Sequence, residues 1–204
     1  MRYLEPMIRD MSRKMPEYAT ADIETMDWNK FLCLGYFTRV KNRRGELEDV
    51  YEEFLNLSEF MEWVFSKEQI RRNIFFHFGG IFDFLFLINE IHADKDNYKI
   101  GDIILRGSQL LTMKISKLKK VANPGRKKIF RALDDGFLVI DRTITFKDSA
   151  GLFNFGLDEL TKNFGVEHKK MEIDHSKVVG LTPELREYMR YDVIGLYESL
   201  EKFT

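Results

Sequence analysis

The chain has 204 residues, of which 44% are hydrophobic, which is enough for one sizeable core and short for two. Its 32 lysines and arginines nearly balance 33 aspartates and glutamates, so the net charge of -1 excludes a strongly basic or strongly acidic protein. The single cysteine, Cys33, excludes an internal disulfide and a cysteine-rich zinc site, and it suits a reducing, cytoplasmic compartment.

The first half of the chain predicts a β-hairpin, a helix and a strand-turn-helix unit. Short apolar runs at about 18–26 and 31–38 are typical of two paired strands. Apolar residues at three- and four-residue spacing predict a helix at about 57–65. The segment RNIFFHF is typical of a buried strand, and the glycine pair after it allows a sharp turn into a helix at about 82–92.

The second half predicts more strands followed by two helices. The predicted strands cover about 101–106, 109–115 and 136–146, and the predicted helices cover about 157–164 and 182–203. Asn123-Pro124-Gly125 is a strong turn signal between the strands. The elements together predict an α/β fold, a mixed sheet flanked by helices, in one domain over 1–204 with a basic β-hairpin insertion at about 101–146.

Nothing in the sequence has the pattern of a signal peptide or a membrane span. The first 18 residues, MRYLEPMIRDMSRKMPEY, contain no apolar core of the required length. The longest apolar stretch, near 81–88, is interrupted by Asp83. We therefore expect a protein that has no membrane partner.

Two acidic residues fall inside the first predicted strand. Asp22 and Glu24 lie two residues apart, so both carboxylates project from the same face of the strand. A D-x-E triplet arises about once by chance in a chain of this composition, which makes the motif weak alone. The acids lie in the apolar context YATADIETMDW, however, where a buried charge without a counter-ion is costly. A shared metal cation is the chemistry that this context favours.

Other acidic positions have ordinary explanations when each is considered alone. Asp83 begins an otherwise apolar helix, where the helix dipole favours a carboxylate by itself. Tyr188 and Asp192 lie one turn apart on the last predicted helix and project from one face. Taken alone, the pair is explained by a routine helix surface or by a core tyrosine without any functional role. The order and spacing of all these residues therefore carry the inference.

The motifs ADIET, FFHFGGIFDFLFL and EYMRYDVIGLYESL, in this order, resemble those of a known exonuclease family. They are similar to the three motifs of the proofreading 3′→5′ exonuclease domain of protein-primed family B DNA polymerases, which occur in bacteriophages, viruses and linear plasmids. The tyrosine places the likeness in the DEDDy branch of the DEDD superfamily. The likeness covers nearly the whole chain and implies a ribonuclease H-like fold, with a role in DNA replication inside a bacterial, phage- or virus-infected cell or a compartment that holds a linear plasmid.

The resemblance also implies a mechanism and a set of site residues. Two Mg²⁺ or Mn²⁺ ions, about 3.5 to 4 Å apart, would hydrolyse the 3′ end of single-stranded DNA to 5′-mononucleotides. Their ligands would be Asp22, Glu24, Asp83 and Asp192, with Asp83 in a supporting position. Tyr188 would orient the attacking water and Lys170, in KMEI, would neutralise the scissile phosphate. The residues expected to contact or enclose the strand are Thr25, His77, Phe78, Phe82 and Ser149.

The sequence departs from the family pattern at three points. Phe78 stands where the family has an asparagine that contacts the substrate strand, and Ala150 replaces a leucine after Ser149. The change at Phe78 removes a polar ligand for the strand and no metal-binding carboxylate. The chain also ends after the third motif without polymerase palm or fingers sequence. We therefore expect a stand-alone nuclease or an excised proofreading domain, with a polymerase or replication partner.

Two alternatives for function stay open at this point. One is an exoribonuclease of the same mechanism, because the superfamily acts on both nucleic acids. The other is a catalytically weakened nucleic-acid-binding module that partners a polymerase, because Phe78 weakens the expected hold on the strand.

The basic residues and the histidines do not form a second metal or phosphate motif in the sequence. The stretch KISKLKKVANPGRKKIFR, from Lys114 to Arg131, carries eight basic residues and no acidic one, which indicates phosphate contacts about as readily as a solvated loop. The four histidines, which lack zinc-ligand spacing, are His77, His92, His168 and His175.

Overall fold

A computed structural model describes residues 18–42, 44–69, 71–174 and 178–203. Residues 1–17, which lack the pattern of a signal peptide, and His175 lie outside these ranges. The strands are β1 (Tyr18–Met26), β2 (Lys30–Lys41), β3 (Leu47–Phe54), β4 (Asn73–Phe76), β5 (Tyr98–Arg106), β6 (Gln109–Val121), β7 (Ile129–Leu133) and β8 (Gly136–Asp148). The helices are α1 (Leu57–Val64), α2 (Asp83–Ala93), α3 (Leu157–Asn163) and α4 (Pro183–Phe203), with short 3₁₀ turns at Gly79–Ile81 and Ser149–Gly151.

The strands form one mixed sheet, which confirms the predicted α/β class. Their order is β3-β2-β1-β4-β8-β6-β5, and β7 pairs with β8. The pairs β1–β4 and β4–β8 are parallel, whereas the outer pairs are antiparallel. Because β1, β4 and β8 run in the same direction, their carboxyl ends meet at one edge of the sheet, where α/β proteins commonly bind ligands.

The two faces of β1 contact different helices. Ala19, Ala21 and Ile23 point into a hydrophobic core that also contains the apolar faces of α1 and α2. The alternate residues point toward α4, and Thr20 Oγ1 donates a hydrogen bond of 2.7 Å to the carbonyl of Val193 on that helix. The two-residue period of the strand therefore places the carboxylates of β1 beneath α4.

The second core is smaller and fixes α3 and α4 to the other side of the sheet. Its members include Phe37, Leu160, Val193 and Tyr197. Phe37 and Tyr197 pack edge to face with ring centroids 5.1 Å apart. None of the helices in the described ranges is long and apolar enough to cross a membrane.

The predicted hairpin, helices and inner strands are confirmed, whereas β3 and β7 were not expected. The sequence of β3, LEDVYEEF, contains four acids because this strand lies at the edge of the sheet and its side chains are largely exposed. Only Phe54 is buried, so the strand shows no regular hydrophobic alternation. The segment at about 101–146 occupies β5 to β8, and its status as an insertion stays a prediction.

The glycine pair between β4 and α2 is required by close packing against β6. A Cβ on Gly80 would lie 1.8 Å from the carbonyl oxygen of Leu110, which is backbone and cannot move aside. We expect Gly80→Ala to lower the free energy of unfolding by at least about 3 kcal/mol in urea denaturation. Gly101→Ala is the matched control, because its Cβ would meet its neighbours at an ordinary 3.5 Å. Equal unfolding midpoints for both variants would refute the close approach.

Candidate active site

Three carboxylates from two distant segments meet beneath α4. Asp22 and Glu24 lie on β1, and Asp192 lies on α4. Each offers an oxygen, and these three oxygens lie within 4.8 Å of one another. Glu24 and Asp192 are buried, and Asp22 is partly buried. The grouping has the dimensions of a cation site.

Asp83 lies next to this group but is held differently. It is the first residue of α2 and is buried. Its Oδ1 accepts a hydrogen bond of 3.1 Å from the backbone N–H of Ile23, between the two acids of β1. Asp83 is not in the three-carboxylate group, and its direct contact fixes the backbone that carries Asp22 and Glu24.

The electrostatics show that the site is deficient in positive charge. Burial, then the repulsion of Asp192, raises the pKa of Asp22 to about 7. Burial, then the repulsion of Asp22 and Asp192, raises the pKa of Glu24 to about 9. Burial and Asp22 also raise the pKa of Asp83 well above its ordinary value. A bound cation would reverse these shifts, because it favours the ionised carboxylates.

Lys170 and Tyr188 lie beside the carboxylates. The Lys170 Nζ is 2.5 Å from Oδ2 of Asp192 and lies over the Tyr188 ring, 4.6 Å from its centroid. Burial lowers the pKa of Lys170, but Asp192 and Tyr188 raise it by more, so the ammonium stays charged. Burial and Asp192 hold the pKa of Tyr188 above its ordinary value, so its phenol stays protonated at neutral pH.

The donor set fits a hard divalent cation. All the grouped ligand atoms are carboxylate oxygens, which suit Mg²⁺ and Mn²⁺ better than softer metals. The single ammonium of Lys170 cannot neutralise three close acids. Asp22, Glu24 and Asp192 would therefore hold such ions, and Asp83 would support them.

Hydrogen bonds to Glu198 on α4 hold the loop that leads to Lys170. No pattern in the sequence predicted this role of Glu198. The carboxylate of Glu198 accepts hydrogen bonds of 3.1 Å from the N–H groups of Glu167 and His168, and it lies 2.8 Å from His168 Nδ1. A Cβ on Gly195 would lie 2.3 Å from the His168 carbonyl. Glu167, His168 and Glu198 also have the spacing of a metal site. We assign them a structural role, because Glu198 already accepts these bonds.

A cavity of about 530 Å³ opens over the carboxylates. Of the residues expected to contact a strand, the ones that line it are Thr25, His77, Phe78 and Phe82. Further lining residues that were not anticipated are Asp27, Trp28, Ile81 and Leu157. Trp28 is 74% exposed and Ile81 is 57% exposed, so large apolar side chains lie at the rim together with the exposed Asp27. The sequence shows a tryptophan four residues after Glu24, but its exposure at the cavity is known only from the structure.

Ser149 was expected to contact the strand, but it does not line the cavity. Its side chain has no exposed surface, and its hydroxyl lies 2.8 Å from Nδ1 of His77. The Nε2 of His77 lies 3.1 Å from the carbonyl of Phe155, so Nε2–H donates and Nδ1 accepts from Ser149. Burial lowers the pKa of His77 to about 4, which keeps the ring neutral. Ser149 thus lies behind the cavity wall and orients His77.

Phe78 occupies a backbone conformation that favours another residue type. Its φ of 58° and ψ of 17° lie in the left-handed region, which costs a residue with a Cβ roughly 1 kcal/mol and is best tolerated by glycine and asparagine. The side chain lines the cavity and packs edge to face on His77, with centroids 4.7 Å apart. The backbone of this turn therefore suits an asparagine, whereas the residue present is aromatic.

Asp148, at the end of β8, organises the same turn. Its Oδ2 accepts hydrogen bonds from Gly80 N at 3.1 Å and from Gln109 Nε2 at 2.8 Å, and its Oδ1 accepts from Ala150 N at 2.9 Å. Sequence reasoning missed this residue because one acid at a strand end is unremarkable alone. Its bonds tie the Gly79–Ile81 turn, which adjoins the cavity, to β6 and to the turn after β8.

The basic stretch from Lys114 to Arg131 contributes no residue to the cavity lining, and most of it runs away from the site. Thr112 pairs with Lys147 near the site, whereas Lys120 pairs with Leu138 toward the opposite end of β8, roughly 25 to 30 Å away at about 3.3 Å per residue. Three of its lysines form ion pairs with acids on neighbouring segments; they are Lys114, Lys120 and Lys127. Phosphate contact by this stretch stays a prediction, and its charge is partly neutralised.

Comparison with known proteins shows the fold. No protein-family model matches the chain, and no curated protein matches it. Two solved structures, Phi29 DNA polymerase complexed with single-stranded DNA and the same polymerase in a ternary complex with primer-template DNA and incoming nucleotides, match with TM-scores of 0.61 and 20% identity. Each match covers 90% of this chain and 30% of the polymerase chain. The fold is therefore α/β and ribonuclease H-like, and the chain spans about a third of the length of these polymerases.

Proposed function

We propose that this protein is a metal-dependent 3′→5′ exonuclease that acts on single-stranded DNA ends. The observation that carries the proposal is the meeting of Asp22, Glu24 and Asp192 in a cavity that Lys170 and Tyr188 also line. Its motifs resemble those of proofreading exonucleases, and its fold is shared with a DNA polymerase solved in complex with single-stranded DNA. A stand-alone nuclease and a proofreading domain of a replicative polymerase are both compatible with this chemistry.

The proposed reaction is hydrolysis of the last phosphodiester. Two Mg²⁺ or Mn²⁺ ions held by the carboxylates would supply charge neutralisation at the phosphate and activation of water. The water oxygen bonds to phosphorus while the bond to the 3′ oxygen of the preceding nucleotide breaks. One proton leaves the water and one is taken up by the departing oxygen. The products are a 5′-mononucleotide and a strand with a new 3′-hydroxyl.

The surrounding side chains would position the reactants. Tyr188 stays protonated, so its hydroxyl can donate a hydrogen bond while the water oxygen is held for in-line attack. The Lys170 ammonium can exchange part of its contact with Asp192 for a phosphate oxygen. Both roles require only groups that are already beside the carboxylates.

The cavity favours a strand end over a duplex. Its volume of about 530 Å³ is that of a pocket for one small ligand, which corresponds to a terminal nucleotide separated from its partner. Thr25 offers a polar contact within the wall, and His77, Phe78 and Phe82 offer aromatic surface for a base.

The direct test uses single-stranded DNA and RNA oligonucleotides of matched sequence, labelled at the 5′ end, with Mg²⁺, Mn²⁺ or EDTA. We expect stepwise shortening from the 3′ end and release of 5′-mononucleotides with either metal and none with EDTA, faster for DNA than for RNA. Faster digestion of RNA would establish the exoribonuclease alternative, since the substrates differ in the 2′-hydroxyl. Absence of metal-dependent release from both would refute the proposal.

Phe78 supports a second candidate, a module that binds nucleic acid but hydrolyses it weakly. The aromatic side chain supplies no amide to hold the strand where the motif predicts one. Under this candidate, a wild-type protein that binds oligonucleotides would show Mn²⁺-dependent digestion only at high protein concentration, if at all. Digestion at low protein concentration would exclude it.

We expect Phe78→Asn to raise kcat/KM on single-stranded DNA about 2- to 10-fold, because the amide adds a hydrogen bond worth about 0.5 to 1.5 kcal/mol and suits the backbone conformation. Phe78→Ala is the control, since it removes the ring without adding an amide. Steady-state kinetics on the same oligonucleotide compares the two variants. If Phe78→Asn is no faster than Phe78→Ala, the missing amide does not limit the reaction.

A further inference from the structure

Trp28 lies in the turn that joins the metal-site strand to β2. The turn between Met26 and Lys30 is short, and two of its residues, Asp27 and Trp28, have positive φ of 53° and 62°. Asparagine and glycine are the residues that such turns favour. A tryptophan here is therefore placed against local preference, and 74% of its surface is exposed to water. Local folding does not account for either property.

The ring is held at the rim of the cavity by another aromatic residue. Trp28 packs edge to face on Phe82, with centroids 6.1 Å apart and planes at 84°. Phe82 packs in turn on Phe86 of α2, with centroids 5.4 Å apart. Trp28 and Phe82 both line the cavity that contains the carboxylates. The indole is thus supported from within the fold while most of it faces solvent.

The charge at this corner indicates which part of a ligand it accepts. Asp27 lies beside Trp28, is exposed and also lines the cavity. A phosphate would be repelled by this carboxylate, whereas an uncharged planar ring can stack on the indole. The positively charged group of the cavity, Lys170, lies instead against Asp192 and is suited to the phosphate.

We infer that Trp28 stacks on a nucleobase of the strand whose 3′ end lies over the carboxylates, with Phe82 supporting the indole. This inference rests on the proposed function and adds a specificity-determining contact to it. The contact is made to the flat face of the base, so it tolerates all base sequences but requires an unpaired base. Trp28 thereby favours single strands over duplex ends.

The test uses the intrinsic fluorescence of the protein. The chain has two tryptophans, and Trp63 is partly buried against Tyr36 and Phe54. A Trp63→Phe background therefore leaves Trp28 as the single indole. Titration uses an oligothymidylate with phosphorothioate linkages at its 3′ end, which slow hydrolysis, in the presence of Mg²⁺. We expect quenching of the Trp28 emission and saturation at one strand per protein.

Abasic substitution locates the stacked base. Removal of one base, tested in turn at each of the last four nucleotides, is expected to weaken wild-type binding about 5- to 100-fold at one position. Trp28→Asn should weaken binding of the intact strand by the same factor and be insensitive to the abasic site, because both changes remove one contact. Asparagine suits the left-handed conformation, so a retained melting temperature separates lost stacking from misfolding.

The outcomes distinguish this inference from the proposed function. Equal binding by wild type and Trp28→Asn, or losses that add for the variant and every abasic strand, would overturn the stacking contact even if mononucleotides are released. Stacking without any metal-dependent release would overturn the exonuclease proposal and leave the contact standing. Quenching by an apolar peptide and not by oligonucleotides would assign Trp28 to a protein partner and overturn the inference.

Discussion

Asp192→Asn should lower kcat for mononucleotide release by at least about 10³-fold. Asp192 is the carboxylate that joins α4 to the two acids of β1, and its amide replacement removes an anionic ligand from the proposed metal site. Loss of several kcal/mol of charge stabilisation in the transition state corresponds to this factor. Single-turnover digestion of a 5′-labelled oligonucleotide with Mg²⁺ measures it.

The control for this variant is Asp141→Asn. Asp141 lies on β8 and pairs with Lys127, outside the cavity. It should retain the wild-type rate, because an exposed ion pair contributes little and does not touch the substrate. Circular dichroism should show that both variants are folded. A rate for Asp192→Asn within tenfold of wild type would contradict its role as a metal ligand.

Glu24→Gln should stabilise the metal-free protein at pH 8 and abolish most of the stabilisation that Mn²⁺ gives. The pKa of Glu24 is raised to about 9 in the folded protein, mainly by burial, from an ordinary 4.5. Between pH 4.5 and pH 9, Glu24 is protonated in the folded state and ionised in the unfolded state. The free energy of unfolding is therefore unaffected by this residue below about pH 4.5, and it falls as the pH rises toward 9. Glutamine does not titrate and removes this loss.

The expected gain is on the order of 2 kcal/mol in EDTA at pH 8, which raises the melting temperature by about 4 to 8 °C for a chain of this length. At pH 4 the gain should vanish, because wild-type Glu24 is then protonated in both states. Glu48→Gln, on the exposed edge strand β3, is the matched control and should change the melting temperature little. A destabilised Glu24→Gln protein in EDTA at pH 8 would contradict the electrostatic account.

Local sequence patterns predicted the helices and strands that carry the site better than they predicted how these elements approach one another. The two-residue period of β1 correctly placed Asp22 and Glu24 on one face, since strand geometry alone determines this. The approach of Asp192 from α4 depends on 170 residues of intervening chain and was expected only from the order of the motifs. The direct bond from Ile23 to Asp83 is a tertiary contact of the same kind.

Other features were beyond what patterns can predict. Ser149 was expected at the substrate because of its motif, but packing of the turn after β8 buries it behind His77. Glu198 and Gly195 on α4 hold the loop of Lys170, yet each is an ordinary helix residue in sequence. The edge strand β3 lacks regular hydrophobic alternation because most of its side chains are exposed or only partly buried, and its pairing with β2 depends on backbone hydrogen bonds.

The choice of candidate ligands and the distances among them depend on different kinds of information. The candidate ligands were chosen from the order and spacing of the motifs, because each acid alone has an ordinary explanation. The distances among ligands follow from how β1, α2 and α4 pack on the sheet. The roles of Phe78 and Trp28 can be inferred only when their backbone conformations and their positions at the cavity are known.

The most direct measurement of the central claim is the anomalous diffraction of crystals soaked in Mn²⁺ with a phosphorothioate-ended oligonucleotide. We predict two anomalous peaks, about 3.5 to 4 Å apart, in contact with the carboxylates of Asp22, Glu24 and Asp192. The Lys170 ammonium should then lie nearer the terminal phosphate than it does to Asp192. Crystals with ordered Mn²⁺ elsewhere, no peak among these carboxylates and Lys170 still paired with Asp192 would contradict the account.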